Sequence, residues 1–178
     1  MKNNITYICS YTRTPIGAFQ GSLGNVPSTT LGSIVIESIL NKTLISNNEI
    51  DEVIMGNVLS ANLGQAPARQ AALGAGLTNK TECMTINKVC GSGLKSIMLA
   101  DQSIQLGSMN ASIAGGMENM SQAPYYLLDA RAGMRLGHNK NIDALIHDGL
   151  WDPYGNMHMG NCAEVLAKEE NYTREDQD

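Results

Sequence analysis

The sequence predicts an α/β fold, in which strands and helices alternate along the chain. Short apolar segments that suit covered strands are separated by longer segments whose apolar residues recur near the helical period. Gly or Pro stands at several junctions between these segments, where the chain must turn. The chain has 178 residues, of which 43% are hydrophobic, so a domain of this length can bury a full core. Such alternation implies right-handed crossovers between the strands.

The first part of the chain contains two predicted strand and helix pairs. Residues 5–11 are predicted as the first strand. Ser28 or Thr29 is expected to cap the next helix. The buried face of that helix is expected to comprise Leu31, Ile34, Val35, Ile39 and Leu40. A covered strand is predicted at residues 53–55, and a helix at residues 67–73, with Pro in its first turn.

Two further strands are predicted on either side of a long helix. Residues 83–89 and 111–114 have the apolar character of strands, and residues 93–106 have helical periodicity. Beyond Gly116 the periodicity weakens, and Gly, Asp, Asn and Arg become frequent up to about residue 154. This change indicates an inserted loop region.

The C-terminal segment contains two candidate helix starts. Asn161 is expected to cap a helix that runs to about residue 170. Thr173 is a second candidate N-cap, because acidic residues follow it in what would be a first turn. Since the sequence given stops at Asp178, a helix starting there is too short to be stable alone.

The charge pattern limits the classes of partner. The net charge is −5, and the basic residues are scattered, which argues against nucleic acid as the main partner. Charged residues make up 16% of the chain, against about 25% in an ordinary soluble domain. We therefore expect part of the surface to be covered by an oligomer partner or by a further portion of the same protein.

The apolar segments indicate a cytoplasmic protein without a membrane partner. No stretch approaches the roughly 20 apolar residues that span a bilayer. Residues 1–4 lead into a short apolar segment that lacks the length of a signal peptide. We expect neither an anchor nor a secreted protein.

The cysteines and histidines do not have the spacing of a metal site or a disulfide framework. No C-x-x-C pair occurs among the cysteines, and no ligand spacing links them to the histidines. We therefore expect no metal and no bound cofactor. The residues concerned are Cys9, Cys83, Cys90, Cys162, His138, His147 and His158.

Cys90 is the candidate nucleophile. It lies between a predicted strand and Gly91-Ser92-Gly93, which opens a predicted helix, so its sulfur would lie near the electropositive end of that helix. An ordinary cysteine is only a few per cent thiolate at neutral pH, and Cys90 would therefore need a base. From these residues alone, two readings stay open: a nucleophile, or a small buried side chain.

Five segments, in order along the chain, resemble the thiolase family. One of them contains the cysteine that becomes acylated in that family, and the similarity extends over essentially the whole chain. The segments are Asn87-Lys88-Val89-Cys90-Gly91-Ser92-Gly93-Leu94, Arg13-Thr14-Pro15-Ile16-Gly17, Gly64-Gln65-Ala66-Pro67-Ala68-Arg69-Gln70, Gly115-Gly116-Met117-Glu118-Asn119-Met120-Ser121, and residues 154–164.

The resemblance implies a layered α/β fold and two domains. This chain would supply an N-terminal half with a mixed sheet flanked by helices, plus the start of the family's loop domain. Residues 1–120 would form the N-terminal α/β domain, and residues 121–178 would begin the loop domain, which serves oligomerisation and coenzyme A binding.

The resemblance also implies an activity and its site. Cys90 would accept an acetyl group from acetyl-CoA, with its backbone amide in an oxyanion site, and a second acetyl-CoA would give acetoacetyl-CoA. Leu150, His158 and Met159 would line the pocket for the pantetheine arm. The His-Met-Gly form resembles the short-chain, acetoacetyl-CoA-specific branch. No step falls to Glu118, which we interpret as structural.

A loop rich in basic residues is similar to the segment through which thiolase dimers form tetramers. The same residues also suit a solvated basic loop, and both interpretations stay open. The complete enzyme would be a homo-oligomer, a dimer or a tetramer. The loop residues are Arg131, Arg135, His138 and Lys140.

Three elements of the family have no counterpart in these 178 residues: the Gly-His-Pro histidine, the second cysteine in its Gly-rich motif, and the Asn of an oxyanion site. Lys88 stands where Gln is familiar. We therefore expect the isolated chain not to complete the cycle. Two alternatives are a subunit that needs a separate C-terminal half and a non-catalytic fragment that at most binds coenzyme A.

Overall fold

The computed structural model describes residues 5–178. The four residues before them, on which the expectation of no signal peptide partly rests, lie outside this range. The chain divides into two compact units, Met1–Ala123 and Pro124–Asp178. The boundary predicted at residue 120 concerns the roles of two domains, and those roles stay a prediction.

Helices alternate with strands throughout the first unit. Their order and bounds are α1 (Ser28–Thr43), β1 (Glu52–Gly56), α2 (Pro67–Gly74), β2 (Glu82–Ile86), α3 (Ser92–Gln105) and β3 (Ser112–Gly116). A 3-10 helix, Met120–Gln122, follows. The α/β class predicted from the sequence is confirmed, and the predicted helix at 67–73 agrees with α2 to within one residue.

The three strands of the first unit form one sheet in the order β2-β1-β3. Both pairings of β1 are parallel. The resemblance implied a mixed sheet, whereas these three strands all run in the same direction. The central strand β1 is buried along its whole length, as expected for a parallel strand whose two faces are both covered by helices. This explains the uninterrupted apolar run Val53-Ile54-Met55.

The main core lies between β1 and the helices α1 and α2. Val53 and Met55 of β1 pack in it with Ile36 and Leu40 of α1 and with three alanines of α2. Alternation along the strand turns Ile54 to the opposite face, and α3 contacts β1 and β3. Small residues let the helices approach closely: a Cβ added at Gly32 of α1 would lie 3.0 Å from the Cβ of Ala71 in α2.

The predicted first strand, residues 5–11, is wrong. These residues have no strand structure, and the side chains of Tyr7 and Ile8 are 75% and 82% exposed. A strand needs a neighbour for its backbone hydrogen bonds. A cavity of about 480 Å³ is lined both by residues 6–12 and by β3 with its flanking residues, so this segment lies opposite β3 without pairing to it.

The predicted cap of α1 is also wrong. Ser28 is the first helical residue, Pro27 occupies the cap position, and no side chain caps the helix there. Ser28 is buried. Pro27 has a φ of −54°, close to the value its ring fixes, and this places the helix start one residue earlier than a hydroxyl cap at Ser28 would.

The second unit consists of short elements. Its order is β4 (Tyr125–Tyr126), a 3-10 helix (Leu128–Ala132), β5 (Ile142–Asp143), a π-helix (Leu145–Leu150), β6 (Trp151–Asp152), β7 (Met157–His158), α4 (Met159–Glu169) and α5 (Arg174–Gln177). The pairs β4 with β5 and β6 with β7 are antiparallel. The predicted loop region between residues 117 and 154 thus contains only two-residue strands and helical segments of three to six residues.

The N-caps of the last two helices differ in how well the sequence predicted them. The expected cap Asn161 is wrong, because α4 begins at Met159 and the Nδ1 of His158 accepts a hydrogen bond from the Gly160 amide at 3.0 Å. The cap at Thr173 is confirmed, and Asp176 completes a capping box with it.

Candidate active site

Cys90 lies in the turn between β2 and α3 and is exposed. The turn is held by side chains on both sides of the cysteine. Asn87 accepts a hydrogen bond from the Val89 amide at 2.8 Å. The hydroxyl of Ser92 accepts one from the Lys88 amide at 2.8 Å and donates one to the Val89 carbonyl at 2.6 Å. The predicted arrangement of strand, turn and helix is confirmed.

Val89 has a left-handed backbone, with a φ of +46°. This conformation is a genuine outlier for a β-branched residue. Such outliers persist only where their surroundings determine them strongly, and here the hydroxyl of Ser92 binds Val89 and its neighbour Lys88. The polypeptide therefore bends sharply immediately before Cys90.

Glycines bring the start of α3 against the ends of two parallel strands. A Cβ added at Gly56, the last residue of β1, would lie 2.7 Å from the backbone carbon of Ser92, a distance at which something must move. Gly116 ends β3, and a Cβ there would lie 3.5 Å from the Cα of Gly93. The N-terminal end of α3 therefore lies at the carboxyl edge of the sheet, where α/β folds commonly bind ligands.

A shallow hollow of about 340 Å³ surrounds Cys90. It is formed by the turn, by the start of α3, and by the residues that follow β1 and β3. The positive end of the α3 dipole lies at this hollow and favours negative charge there. Its lining is Gly56, Asn57, Val58, Val89, Cys90, Ser92, Gly93, Gly116, Met117 and Glu118.

Glu118 binds the loop that follows β1. Its carboxylate accepts hydrogen bonds from the side-chain amide of Asn57 at 2.9 Å and from the backbone amides of Val58 and Leu59 at 2.8 and 3.2 Å. Burial raises the pKa of the Glu118 carboxyl above its ordinary value, and these three donors act in the opposite direction.

The predicted coenzyme A residues come together in the second unit. Trp151 of β6 pairs with His158 of β7, and Leu150 precedes the first strand while Met159 follows the second. Leu150, His158 and Met159 therefore lie at one end of the same hairpin. Leu150 and His158 are partly buried, and Met159 is 45% exposed.

The four residues predicted for oligomerisation all lie in one exposed segment of the second unit. Arg131, Arg135, His138 and Lys140 are each exposed. Exposure suits both interpretations of this loop, an oligomer contact and a solvated surface.

Residues 5–178 contain neither a metal-binding cluster nor a membrane-spanning helix. No group of three or more His, Cys, Asp or Glu side chains in this range is placed to hold a metal ion. No helix in the same part of the chain is both long enough and apolar enough to cross a membrane.

The sequence interpretation missed the contacts made by Asn57 and Glu118. Asn57 is 3% exposed, and its side chain also donates to the Met117 carbonyl at 3.0 Å. The double glycine before Met117 marks the segment, and the interpretation of Glu118 as structural agrees with its hydrogen bonds. No local pattern marks Asn57, because its partners lie about 60 residues away.

Comparison with known proteins identifies relatives of the whole chain. The sequence profile of the family "Thiolase, N-terminal domain" matches residues 6–178. Acetyl-CoA acetyltransferase 2 of Arabidopsis thaliana is 53% identical over 171 residues, which cover 96% of this chain and 42% of the relative. A mitochondrial acetyl-CoA acetyltransferase of Danio rerio is also 53% identical, over 98% of this chain and 41% of the relative.

A solved structure has the same fold. The crystal structure of the Acat5 thiolase of Ascaris suum in complex with coenzyme A matches with a TM-score of 0.89 and 40% identity, over 95% of this chain and 44% of that one. This chain thus spans about two fifths of the length of the relatives it matches.

Proposed function

This chain belongs to the thiolase family of acyltransferases, and we propose that it supplies the acyl-accepting site of an acetyl-CoA acetyltransferase. The thiolate of Cys90 attacks the thioester carbonyl of acetyl-CoA. A new bond forms between the sulfur and the acyl carbon, and coenzyme A leaves as its thiolate. A base removes a methyl proton from a second acetyl-CoA, and the resulting carbanion attacks acetyl-Cys90. The bond between the Cys90 sulfur and the acyl carbon breaks, which gives acetoacetyl-CoA and releases Cys90 as its thiolate, while the proton passes to the thiolate of coenzyme A.

One observation carries this proposal: Cys90 is exposed in a turn that the fold holds in a strained shape. The left-handed Val89 and the two hydrogen bonds of Ser92 fix this turn. When a nucleophile lies beside a helix N-terminus, the negative charge that develops on the substrate's carbonyl oxygen can be stabilised by fixed N–H donors. The exposure of Cys90 argues against the alternative interpretation, a small buried cysteine with only a packing role.

The second unit offers the binding site for coenzyme A in this proposal. Leu150, His158 and Met159 lie together at the end of the β6–β7 hairpin. Because the Nδ1 of His158 accepts a hydrogen bond from Gly160, its Nε2 is left for a ligand. The relative from Ascaris suum was solved with coenzyme A, which supports this assignment.

Among the groups that the catalytic cycle needs, the base is the one for which these residues offer the weakest candidate. All three histidines lie within residues 124–178, and none of them stands in a Gly-His-Pro motif. We therefore propose that these 178 residues accept an acetyl group at Cys90 but do not turn over. Continuous formation of acetoacetyl-CoA that is lost in Cys90→Ala would contradict this.

The assembly and the compartment are further parts of the proposal. We propose a homo-oligomer in which the exposed loop with Arg131, Arg135, His138 and Lys140 forms a contact, and a cytoplasmic location. Light scattering of Arg131→Glu and wild type tests the contact, because the variant should have the smaller mass. Since the relative from Danio rerio is named mitochondrial, fractionation of cells decides the compartment.

The experiment that tests the acyl-accepting role is the intact mass of the chain after incubation with acetoacetyl-CoA. Wild type should gain one acetyl group, and Cys90→Ala should gain none. Cys9→Ala is the matched control, because Cys9 is also exposed and should not be needed. A folded wild type without an adduct, or an adduct that persists in Cys90→Ala, would refute the proposal.

A further inference from the structure

Glu118 accepts hydrogen bonds from three donors of the loop after β1: the side-chain amide of Asn57 and the backbone amides of Val58 and Leu59. Asn57 and Leu59 are 3% and 7% exposed, so their N–H groups are shielded from water. Leaving such donors unsatisfied costs the full desolvation of each group. The Glu118 carboxylate therefore determines where this loop lies.

The same loop forms one wall of the hollow that contains the thiol. Asn57 and Val58 line the hollow together with Val89 and Cys90, and Glu118 lies on the same wall. Any shift of Asn57 or Val58 therefore changes the shape of the space in which an acyl group on Cys90 would lie.

From these two observations we infer that Glu118 is a positioning residue for the Cys90 site. Its carboxylate fixes residues 57–59, of which Asn57 and Val58 form one wall of the hollow beside the thiol. This inference rests on the proposed function, in which Cys90 accepts an acyl group. It assigns Glu118 no proton transfer and no contact with the substrate.

The neighbouring Asn119 provides a matched control. Its side-chain amide donates to the carbonyls of Leu23, Gly24 and Val26 at 3.2, 3.1 and 2.7 Å. It thus braces a second loop by a comparable set of hydrogen bonds. Neither Asn119 nor these three residues line the hollow around Cys90, so Asn119→Ala removes a brace without moving the wall.

The experiment compares Glu118→Ala, Glu118→Gln and Asn119→Ala with wild type in the 178-residue chain. Iodoacetamide labels the cysteines, and peptide masses give the rate at Cys90 relative to Cys9, an exposed cysteine of the same unit. Hydrogen exchange of the Val58 and Leu59 amides is measured in parallel.

The inference predicts a selective effect. In Glu118→Ala, exchange at Val58 and Leu59 should rise by about tenfold, as for the loss of a hydrogen bond to a charged acceptor. The rate ratio of Cys90 to Cys9 should change several-fold, because the wall of the hollow beside the Cys90 thiol moves. Glu118→Gln keeps one acceptor oxygen and should fall between wild type and Glu118→Ala. Asn119→Ala should leave the ratio as in wild type.

Three results would overturn the inference. The first is an unchanged ratio in a folded Glu118→Ala, which would leave Glu118 as a brace only. The second is an equal change in Asn119→Ala, which would indicate general loosening. The third is a ratio of Cys90 to Cys9 labelling rates in Glu118→Gln that equals the wild-type ratio. This result would overturn the inference even if Glu118→Ala does not fold. Labelling needs no CoA thioester, so a chain that shifts its ratio but accepts no acetyl group would refute the proposed function alone.

Discussion

The two units of the chain differ in the interactions that stabilise each of them internally. In the first unit, the parallel sheet and the helices α1 and α2 bury an apolar core, and the contacts join residues far apart in sequence. In the second unit, whose residues 124–178 are all described, only Ala144 is buried. Its strands are two residues long, and its hydrogen bonds are mostly local.

This difference separates the chemistry from the predicted binding residues. Cys90 and Glu118 belong to the unit with the core, so their geometry is supported by hydrophobic burial. Leu150, His158 and Met159 belong to the unit without one, where stability should be low and local opening frequent. We therefore expect perturbations of the first unit to have large effects and those of the second to have small, local ones.

Met55→Ala should have the largest effect. Met55 is 1% exposed and packs in the core, so its truncation should lower the free energy of unfolding by about 2–5 kcal/mol. Ile146→Ala, at a side chain of the second unit that is 44% exposed, should cost no more than about 0.5 kcal/mol. Urea unfolding of both variants measures the two losses in the free energy of unfolding. Similar losses would contradict the difference expected between the two units.

Glu52→Gln should have a smaller effect that depends on pH. Glu52 is 8% exposed, and burial, with a further contribution from Glu82, raises the pKa of its carboxyl above the ordinary 4.5. The folded state then binds the proton more tightly than the unfolded state. The stability contributed by the protonated group is present below pH 4.5 and is lost as the pH rises through the folded pKa.

The wild type should therefore become less stable relative to Glu52→Gln between about pH 4 and neutrality. Urea midpoints of the two proteins across this range provide the measurement. Glu37→Gln, at an exposed position on α1, serves as the control. A difference that stays constant with pH, or that changes in the opposite direction, would show that Glu52 does not carry the effect.

Asp148→Asn should change a titration in the second unit rather than its stability. Asp148 accepts the hydrogen bond of the Tyr126 hydroxyl, and this bond, followed by burial and the negative charge of Asp148, raises the pKa of Tyr126 above 10.0. Asp148→Asn should lower that pKa. Ultraviolet titration of the phenol measures it, with Tyr126→Phe identifying the signal, and an unchanged titration would refute the coupling.

Thr173→Ala should have the smallest effect. Thr173 caps the four-residue helix α5, whose residues are all exposed. Loss of the cap should cost about 1 kcal/mol or less, confined to that turn. Hydrogen exchange of the Asp176 amide should rise while the urea midpoint stays constant. A shifted midpoint would mean that α5 contributes to the stability of a larger part of the protein.

The elements predicted most accurately were those of the first unit with a strong local pattern. The helix at 67–73 and the strand at 53–55 were found within one or two residues, because periodicity and an apolar run are properties of neighbouring residues. The strand predicted at residues 5–11 failed for the opposite reason. Its sequence suits a strand, but a strand also requires a partner, which no local pattern shows.

The site was predicted to a similar extent. The turn that carries Cys90 follows from Gly91-Ser92-Gly93 after an apolar strand. The wall opposite it does not, because Asn57 and Glu118 are 61 residues apart in sequence and meet only when β1 and β3 pair. The cap at His158 was missed because imidazole is an uncommon cap, while the nearby Asn161 is a common one.

The left-handed Val89 also restricts the order in which substitutions can accumulate. A left-handed backbone costs a residue with a Cβ roughly 1–2 kcal/mol, and the hydroxyl of Ser92 holds this one in place. If Ser92 were replaced first, the turn would lose its restraint while the strain remained. If Val89→Gly came first, the strain would be absent and the later loss of Ser92 would cost less. The two positions are therefore expected to be epistatic. The order in which Val89→Gly precedes the loss of Ser92 should destabilise the protein less and should therefore be the more accessible in evolution.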